Sequence, residues 1–217
     1  MAEASLTRER LLDAALEVFA SKGYEGASTR EICRLGGCNV AAIHYHFGDK
    51  ASLYRAVFRI PEALQRMPTE LDDPDVPVER ALAAFYRHLM SFIVAPQQVQ
   101  WLRLLFMREE LRPSGVLDEP RDTNRRLHVQ ILNFLCRATG ACAPDAVLHQ
   151  LAFSLFGLWL VLFAQRTDVD RLAPELLADA HGIAATVDRL TLQGLALIEA
   201  EAQRRGATQS ANCGGAS

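Results

Sequence analysis

The residues best equipped for chemistry in this 217-residue chain crowd between Ser28 and Lys50. Hydroxyls at Ser28, Thr29 and Tyr45, imidazoles at His44 and His46, an amide at Asn39 and cations at Arg30, Arg34 and Lys50 surround a Gly36-Gly37 pair. Catalysis is a poor use for them. The chain has no HExxH, no GxSxG and no Gly-rich phosphate loop, and no carboxylate pair stands apart from ordinary helix-surface charge, so an enzyme is not expected. His44 and His46 lie two apart, on different faces of a helix, and do not make a metal pair; neither metal nor cofactor is expected. The same groups suit a duplex, where hydrogen-bond donors and cations meet phosphate oxygens and small side chains approach base edges.

Two short helices about a glycine turn would position them. Ser28 followed by Glu31 has the spacing of a capping box, in which the hydroxyl takes a first-turn amide and the carboxylate reaches back to the cap amide. Gly36-Gly37 ends that helix, because a residue just past a helix end commonly needs positive φ. Asn39 then caps a second helix from Val40 to about Phe47. Ile32 and Leu35 on the first, and Ile43 and Phe47 on the second, recur at helical spacing and predict one buried stripe on each. The opposite face of the second carries Val40, Ala41, His44 and Tyr45. A recognition helix reads bases from its N-terminal residues, so Val40, Ala41, Ala42 and His44 are the candidates for base edges. The small side chains allow approach to a thymine methyl, and histidine supplies a hydrogen bond. Arg30 and Arg34 either meet DNA or are solvated surface. Leu12, Ala15, Leu16 and Phe19 predict a backing helix from near Thr7 that stops at Lys22-Gly23. Lys50 opens a fourth helix capped by Asp49, a start that suits a phosphate.

The pattern Leu11-Leu12-Asp13-Ala14-Ala15, Phe19-Ala20, Gly23-Tyr24, Ser28, Arg30-Glu31-Ile32, Gly37, Ile43-His44-Tyr45-His46-Phe47, Lys50 and Leu53-Tyr54 resembles the TetR family of bacterial transcriptional regulators over about fifty residues. Asn39-Val40-Ala41-Ala42-Ile43 with Tyr45-His46-Phe47-Gly48 looks like its CerR-type subgroup, as does Leu104 to Pro113 less distinctively. The resemblance implies DNA-backbone contacts for Ser28, Thr29, Tyr45, His46 and Lys50. It also implies a homodimer binding a pseudo-palindromic operator, and a small-molecule effector that releases it. Gly36 stands where the family usually has alanine, Cys38 where it has valine, and His44 where the subgroup has asparagine or tyrosine. These departures bear on the operator sequence more than on the fold.

Half the residues are hydrophobic and 23% are charged, with a net charge of -3. Such a chain buries a substantial core and does not bind polyanions by bulk charge. Residues 1–60 hold eight Lys/Arg against seven Asp/Glu, which makes the N-terminal part the DNA face. Five cysteines without a CxxC pair fit a reducing cytoplasm. Cys33 and Cys38 read as inert buried thiols, with a redox switch beside the turn as the alternative. The start lacks the apolar stretch of a secretory signal, and the apolar run Leu151 to Phe163 is short of the roughly 20 residues a bilayer needs. No membrane partner is expected.

Apolar residues at helical spacing predict an all-α protein. The expected organisation is a helix-turn-helix domain over 1–60, a Pro-rich connection over 61–77, a helical effector-binding and dimerisation domain over 78–205 and a disordered tail over 206–217. Helices are expected from about Val78 to Val94, Gln98 to Leu111, Asp122 to Thr139, Asp145 to Gln165 and Pro174 to Arg205. Trp101, Leu105, Phe106, Arg108, His128, Phe134, Phe156 and Trp159 are candidates for an effector pocket, each being otherwise plain core. Arg108 and Glu109, inside an otherwise apolar helix, either orient a ligand or pair with each other. The last two helices are the dimer candidate, through Phe153, Gly157, Leu160, Leu190, Gly194 and Leu197, because a helix apolar all round must be covered on all sides. The alternative to a DNA-binding regulator is a helical protein-interaction adaptor that binds no DNA.

Overall fold

The computed structural model describes residues 2–58, 66–93, 97–117 and 121–214, and among these every regular element is helical, as expected. In chain order the α-helices are α1 (Ala2–Gly26), α2 (Thr29–Leu35), α3 (Val40–Phe47), α4 (Lys50–Val57), α5 (Val78–Ser91), α6 (Gln97–Leu111), α7 (Arg121–Thr139), α8 (Ala146–Ala164), α9 (Arg166–Leu172) and α10 (Ala180–Gly214). They form two compact units, Met1–Glu62 with Val94–Pro120 and Ala63–Ile93 with Arg121–Ser217.

The first unit contains α1 to α4 and α6. The helical path of α1 breaks at Gly23, whose φ of 73° is the left-handed conformation that favours glycine, so the stop lies where the sequence predicts it. Leu11, Ala15 and Phe19 of α1, Ile32 of α2, Ile43 of α3, and Leu53 and Tyr54 of α4 close one core. Leu35 does not join it: it is 44% exposed, because α2 is only seven residues long and presents Ile32 and Cys33 inward. Tyr54 stacks edge-on with Phe19, Tyr24 and Phe58 at 4.8–5.0 Å.

The helix α6 lies within the stretch expected to form the C-terminal domain, and it packs in the core of the first unit. Leu102 and Leu105 are buried in the first unit's core, and Phe106 packs edge-on against Phe58 at 5.0 Å. Arg108 donates to the Ser21 carbonyl at 3.1 Å and lies against Gly23, where a β-carbon would come within 2.9 Å of its guanidinium. Periodicity identifies the buried face of a helix but not the element it packs on.

The second unit contains α5 and α7 to α10. The predicted helix from Pro174 to Arg205 is instead a 3-10 turn at Pro174–Leu176 followed by α10. Asp179 restarts the helix by accepting from the Gly182 amide at 2.9 Å. The helix α10 also continues through Gly214 where composition predicts a disordered tail, since extending a nucleated helix costs far less than starting one; 215–217 lie outside the described residues. Asp145 caps α8 through the Leu148 amide at 2.9 Å and pairs with Arg205 of α10, which also meets Glu201.

Gly194 sits in the core of this unit. A β-carbon there would lie 2.8 Å from Leu82 and 3.1 Å from both Leu155 and the Tyr86 hydroxyl, so glycine lets α10 approach α5 and α8. Leu190 is buried beside it. Both therefore serve the unit's own packing and are withdrawn from the predicted dimer face. Phe153, 66% exposed, Phe156, Val161, Leu192 and Leu197 remain on the surface of α8 and α10, Leu160 is half-buried, and Gly157 faces open space. At 19 residues without a charge, α8 is long and apolar enough to cross a bilayer, longer than the predicted run. Its Leu148, Leu151, Ala152, Leu155 and Trp159 nevertheless form a core stripe.

Candidate nucleic-acid interface

The predicted capping box is not formed. Ser28 holds the N-cap position of α2 in extended backbone, but its side chain makes no cap bond. Glu31 turns instead to Lys22 of α1, whose ammonium lies 2.7 Å from both carboxylate oxygens. A nearby cation offers a carboxylate a stronger partner than a neutral amide does. The Ser28 hydroxyl is thereby left at the exposed mouth of the motif, with Arg30 exposed and Thr29 half-buried beside it.

The turn matches the sequence reading. The Gly36 amide donates to the Ile32 carbonyl at 2.9 Å, Gly37 takes φ 64°, and the Cys38 amide donates to Cys33 at 2.9 Å. Gly36, unlike Gly37, is used for close approach: a β-carbon there would stand 3.3 Å from the Arg10 carbonyl oxygen. Asn39 caps α3 by accepting from the Ala41 amide at 3.1 Å. Cys33 is buried, and burial first, then the nearby Cys38, pushes its thiol up from its ordinary value. A thiol held protonated is a poor nucleophile, in keeping with an inert role.

Ile43 is the buried anchor of α3, with Ala42, His46 and Phe47 half-buried around it. Val40, Ala41, His44 and Tyr45 share the exposed face, and Tyr45 is 80% exposed. His46 packs edge-on against Tyr45 at 4.8 Å. The helix ends at Gly48, φ 84°, whose amide donates to the His44 carbonyl at 3.1 Å. The His44 ring returns a bond, its Nδ1 lying 2.7 Å from the Gly48 carbonyl oxygen. Asp49 then caps α4 by accepting from the Ser52 amide at 2.7 Å, a bond that holds its carboxyl below the usual range. Lys50 is half-buried, its ammonium 4.5 Å from the centre of the Tyr24 ring. This cation–π contact confines the charge to one place at the start of α4.

The structure therefore collects Ser28, Thr29, Arg30, Asn39, Val40, Ala41, Ala42, His44, Tyr45, His46 and Lys50 on one compact motif. It adds Arg8 of α1, whose guanidinium lies 5.2 Å from the Phe47 ring centre. Sequence reading missed Arg8 because an arginine on an amphipathic helix looks like any solvated charge. Among the described residues no group of three or more His, Cys, Asp or Glu could hold a metal.

The predicted effector residues divide between the two units. Trp101, Leu105 and Phe106 pack with the core of the first unit, where Arg108 also binds Ser21. Phe134 and Trp159 belong to the core of the second. There Trp159 lies 4.6–6.2 Å from Phe92, Phe156 and Phe163, and its buried Nε1 has no hydrogen-bond partner among the described residues. The His128 Nε2 lies 2.9 Å from the His149 Nδ1, and its ring stacks on Phe153.

Residues 11–57 match the family described as bacterial regulatory proteins, tetR family, and residues 78–197 match the C-terminal domain of the HTH-type transcriptional dual regulator CecR. The HTH-type transcriptional regulator SrpR of Pseudomonas putida is 35% identical over 117 residues, 54% of this chain and 53% of SrpR. The chain thus spans about half the length of that relative. TtgW, an uncharacterized HTH-type transcriptional regulator also from Pseudomonas putida, is likewise 35% identical over 117 residues, 54% of this chain and 84% of TtgW. The crystal structure of HlyIIR, a hemolysin II transcriptional regulator, is similar in fold with a TM-score of 0.59 at 22% identity, over 81% of this chain and 97% of HlyIIR.

Proposed function

Because the chain belongs to the TetR family of bacterial regulatory proteins, with a CecR-type C-terminal domain, and is a DNA-binding transcriptional regulator, we propose that it is a cytoplasmic, homodimeric repressor released from a pseudo-palindromic operator by a small molecule. The observation that carries the DNA contact is the exposed face of α3, Val40, Ala41, His44 and Tyr45, following a two-glycine turn. Small residues on the first turn let the helix axis approach base edges. Tyr45, Lys50 and the unused hydroxyl of Ser28 supply donors for phosphates.

Dimerisation is supported by the uncovered apolar residues of α8 and α10, Phe153, Phe156, Val161, Leu192 and Leu197. Covering such a patch with its own copy gives a two-fold interface. Two α3 helices would then meet major-groove segments roughly 34–36 Å apart. Effector binding is supported by the aromatic nest of Trp159, Phe156, Phe92 and Phe163 with its unpartnered indole N–H, which suits an apolar ligand bearing an acceptor. A hundredfold loss of operator occupancy requires about 2.7 kcal/mol of preference for the released state.

The test is footprinting of the purified chain on DNA flanking its own gene, with sedimentation to establish stoichiometry. A protected pseudo-palindrome bound by two chains is expected, and Tyr45→Ala with Lys50→Ala abolishes it. Indifference to every duplex at low salt, or one chain per site, would overturn the proposal.

A further inference from the structure

We propose that His44 selects an amino-bearing base, adenine or cytosine, in the major groove of each operator half-site. The inference rests on α3 being the helix that enters that groove. It follows from the 2.7 Å contact between the His44 Nδ1 and the Gly48 carbonyl oxygen. A carbonyl oxygen only accepts, so the proton of this pair is on Nδ1, and a neutral imidazole then presents a bare, accepting Nε2.

The cap residue fixes this arrangement before any DNA arrives. Gly48 holds φ 84° and ψ -61°, a backbone conformation that directs its carbonyl back toward the ring, and its amide binds the His44 carbonyl at 3.1 Å. Side chain and backbone of His44 are therefore tied to one residue, and both the ring orientation and the tautomer are set. His44 lies one turn after Val40 and Ala41 on the same exposed face.

An accepting nitrogen has two base partners in the major groove, the N6 amino group of adenine and the N4 amino group of cytosine. Guanine N7 and O6 and thymine O4 present lone pairs and are rejected. Phosphate oxygens are rejected for the same reason. This separates His44 from Tyr45 and Lys50, which donate and can hold the backbone.

The experiment selects binding sites from a randomised duplex pool with the full chain and with His44→Phe, which keeps a ring and removes the acceptor. The wild-type consensus is expected to contain one position per half-site restricted to adenine or cytosine, and this restriction alone disappears in His44→Phe. Replacing that base by its analogue lacking the amino group should weaken wild-type binding about tenfold and leave His44→Phe binding unchanged. The analogue test uses the unaltered protein and so does not depend on the folding of the variant. A guanine or thymine preference that depends on His44 overturns the inference, as does a uniform loss of affinity with a reduced salt slope, the mark of a phosphate contact. A consensus in which no position responds to His44 overturns it while leaving the regulator intact. Failure of the wild-type chain to enrich any sequence would remove the α3 reading with it.

Discussion

The Tyr54 hydroxyl donates to the Glu109 carboxylate at 2.7 Å, joining α4 to α6 inside the first unit. Glu109 also accepts from the Ser114 amide and hydroxyl at 2.9 Å, so one carboxylate fastens the end of α6 and the turn after it. Burial, reinforced by this carboxylate, pushes the Tyr54 phenol far above its ordinary value and keeps it a donor. Arg108 next to it holds the end of α1. The two residues that looked available for a ligand are structural ties.

Tyr54→Phe should therefore destabilise the protein by about 1.5–3 kcal/mol, the range for a hydrogen bond to a charged group. The ring packing survives the change, so the loss isolates the hydroxyl. Urea unfolding with an unchanged m-value checks this; a loss below about 0.5 kcal/mol would mean that Ser114 alone satisfies Glu109.

Gly194 and Phe153 separate internal packing from the proposed assembly. Gly194→Ala places a methyl 2.8 Å from Leu82 and should cost about 1–3 kcal/mol of stability. Phe153→Lys changes an exposed side chain, so the fold should persist while the dimer dissociates at micromolar concentration. Analytical ultracentrifugation combined with thermal melts reads both effects. A dimer unaffected by Phe153→Lys would move the interface off this face of α8.

Much of the helix-turn-helix motif is legible in sequence because its signals are local. Asn39, Asp49, Gly37 and Gly23 act within a few residues of themselves, and each occupies the cap or turn that its chemistry predicts. The misreadings involve partners distant in sequence. Glu31 satisfies the spacing of a capping box, yet Lys22 reaches it first. Gly194 has the small-residue signature of close helix approach, but the approaching helices are α5 and α8 of its own chain. The buried face of α6 centres on Leu102 and Leu105, and its aromatic complement, Phe58, is 48 residues from Phe106. Periodicity specifies that a surface is covered, and tertiary topology decides by what.

Two histidines of the second unit make stability depend on pH. Burial lowers the His88 pKa below its ordinary 6.5, and burial followed by the neighbouring His149 lowers that of His128. Where a folded-state value is depressed for a base, the unfolded chain binds more protons between the two values, and stability is lost as pH falls across that interval. The melting temperature should therefore decline as pH drops below about 6.5, levelling once the folded values are passed. Substituting both, His88→Phe with His128→Gln, should flatten the curve between pH 5 and 7. An unchanged slope in the double variant would assign the effect to other groups.

Ser28 and Asn39 occupy equivalent cap positions of α2 and α3, yet only Asn39 makes a side-chain cap bond. Asn39→Ala should cost about 1 kcal/mol in folding, the ordinary loss for a removed N-cap. Ser28→Ala should cost a few tenths at most, because the hydroxyl is not engaged in the fold. If that hydroxyl is reserved for a phosphate, Ser28→Ala will weaken operator binding by a similar factor on all sequences while leaving the melting temperature unchanged. Parallel melts and titrations against specific and scrambled duplexes distinguish the cases. A Ser28→Ala protein as unstable as Asn39→Ala would show that the hydroxyl caps α2 after all, and its effect on DNA would then be indirect.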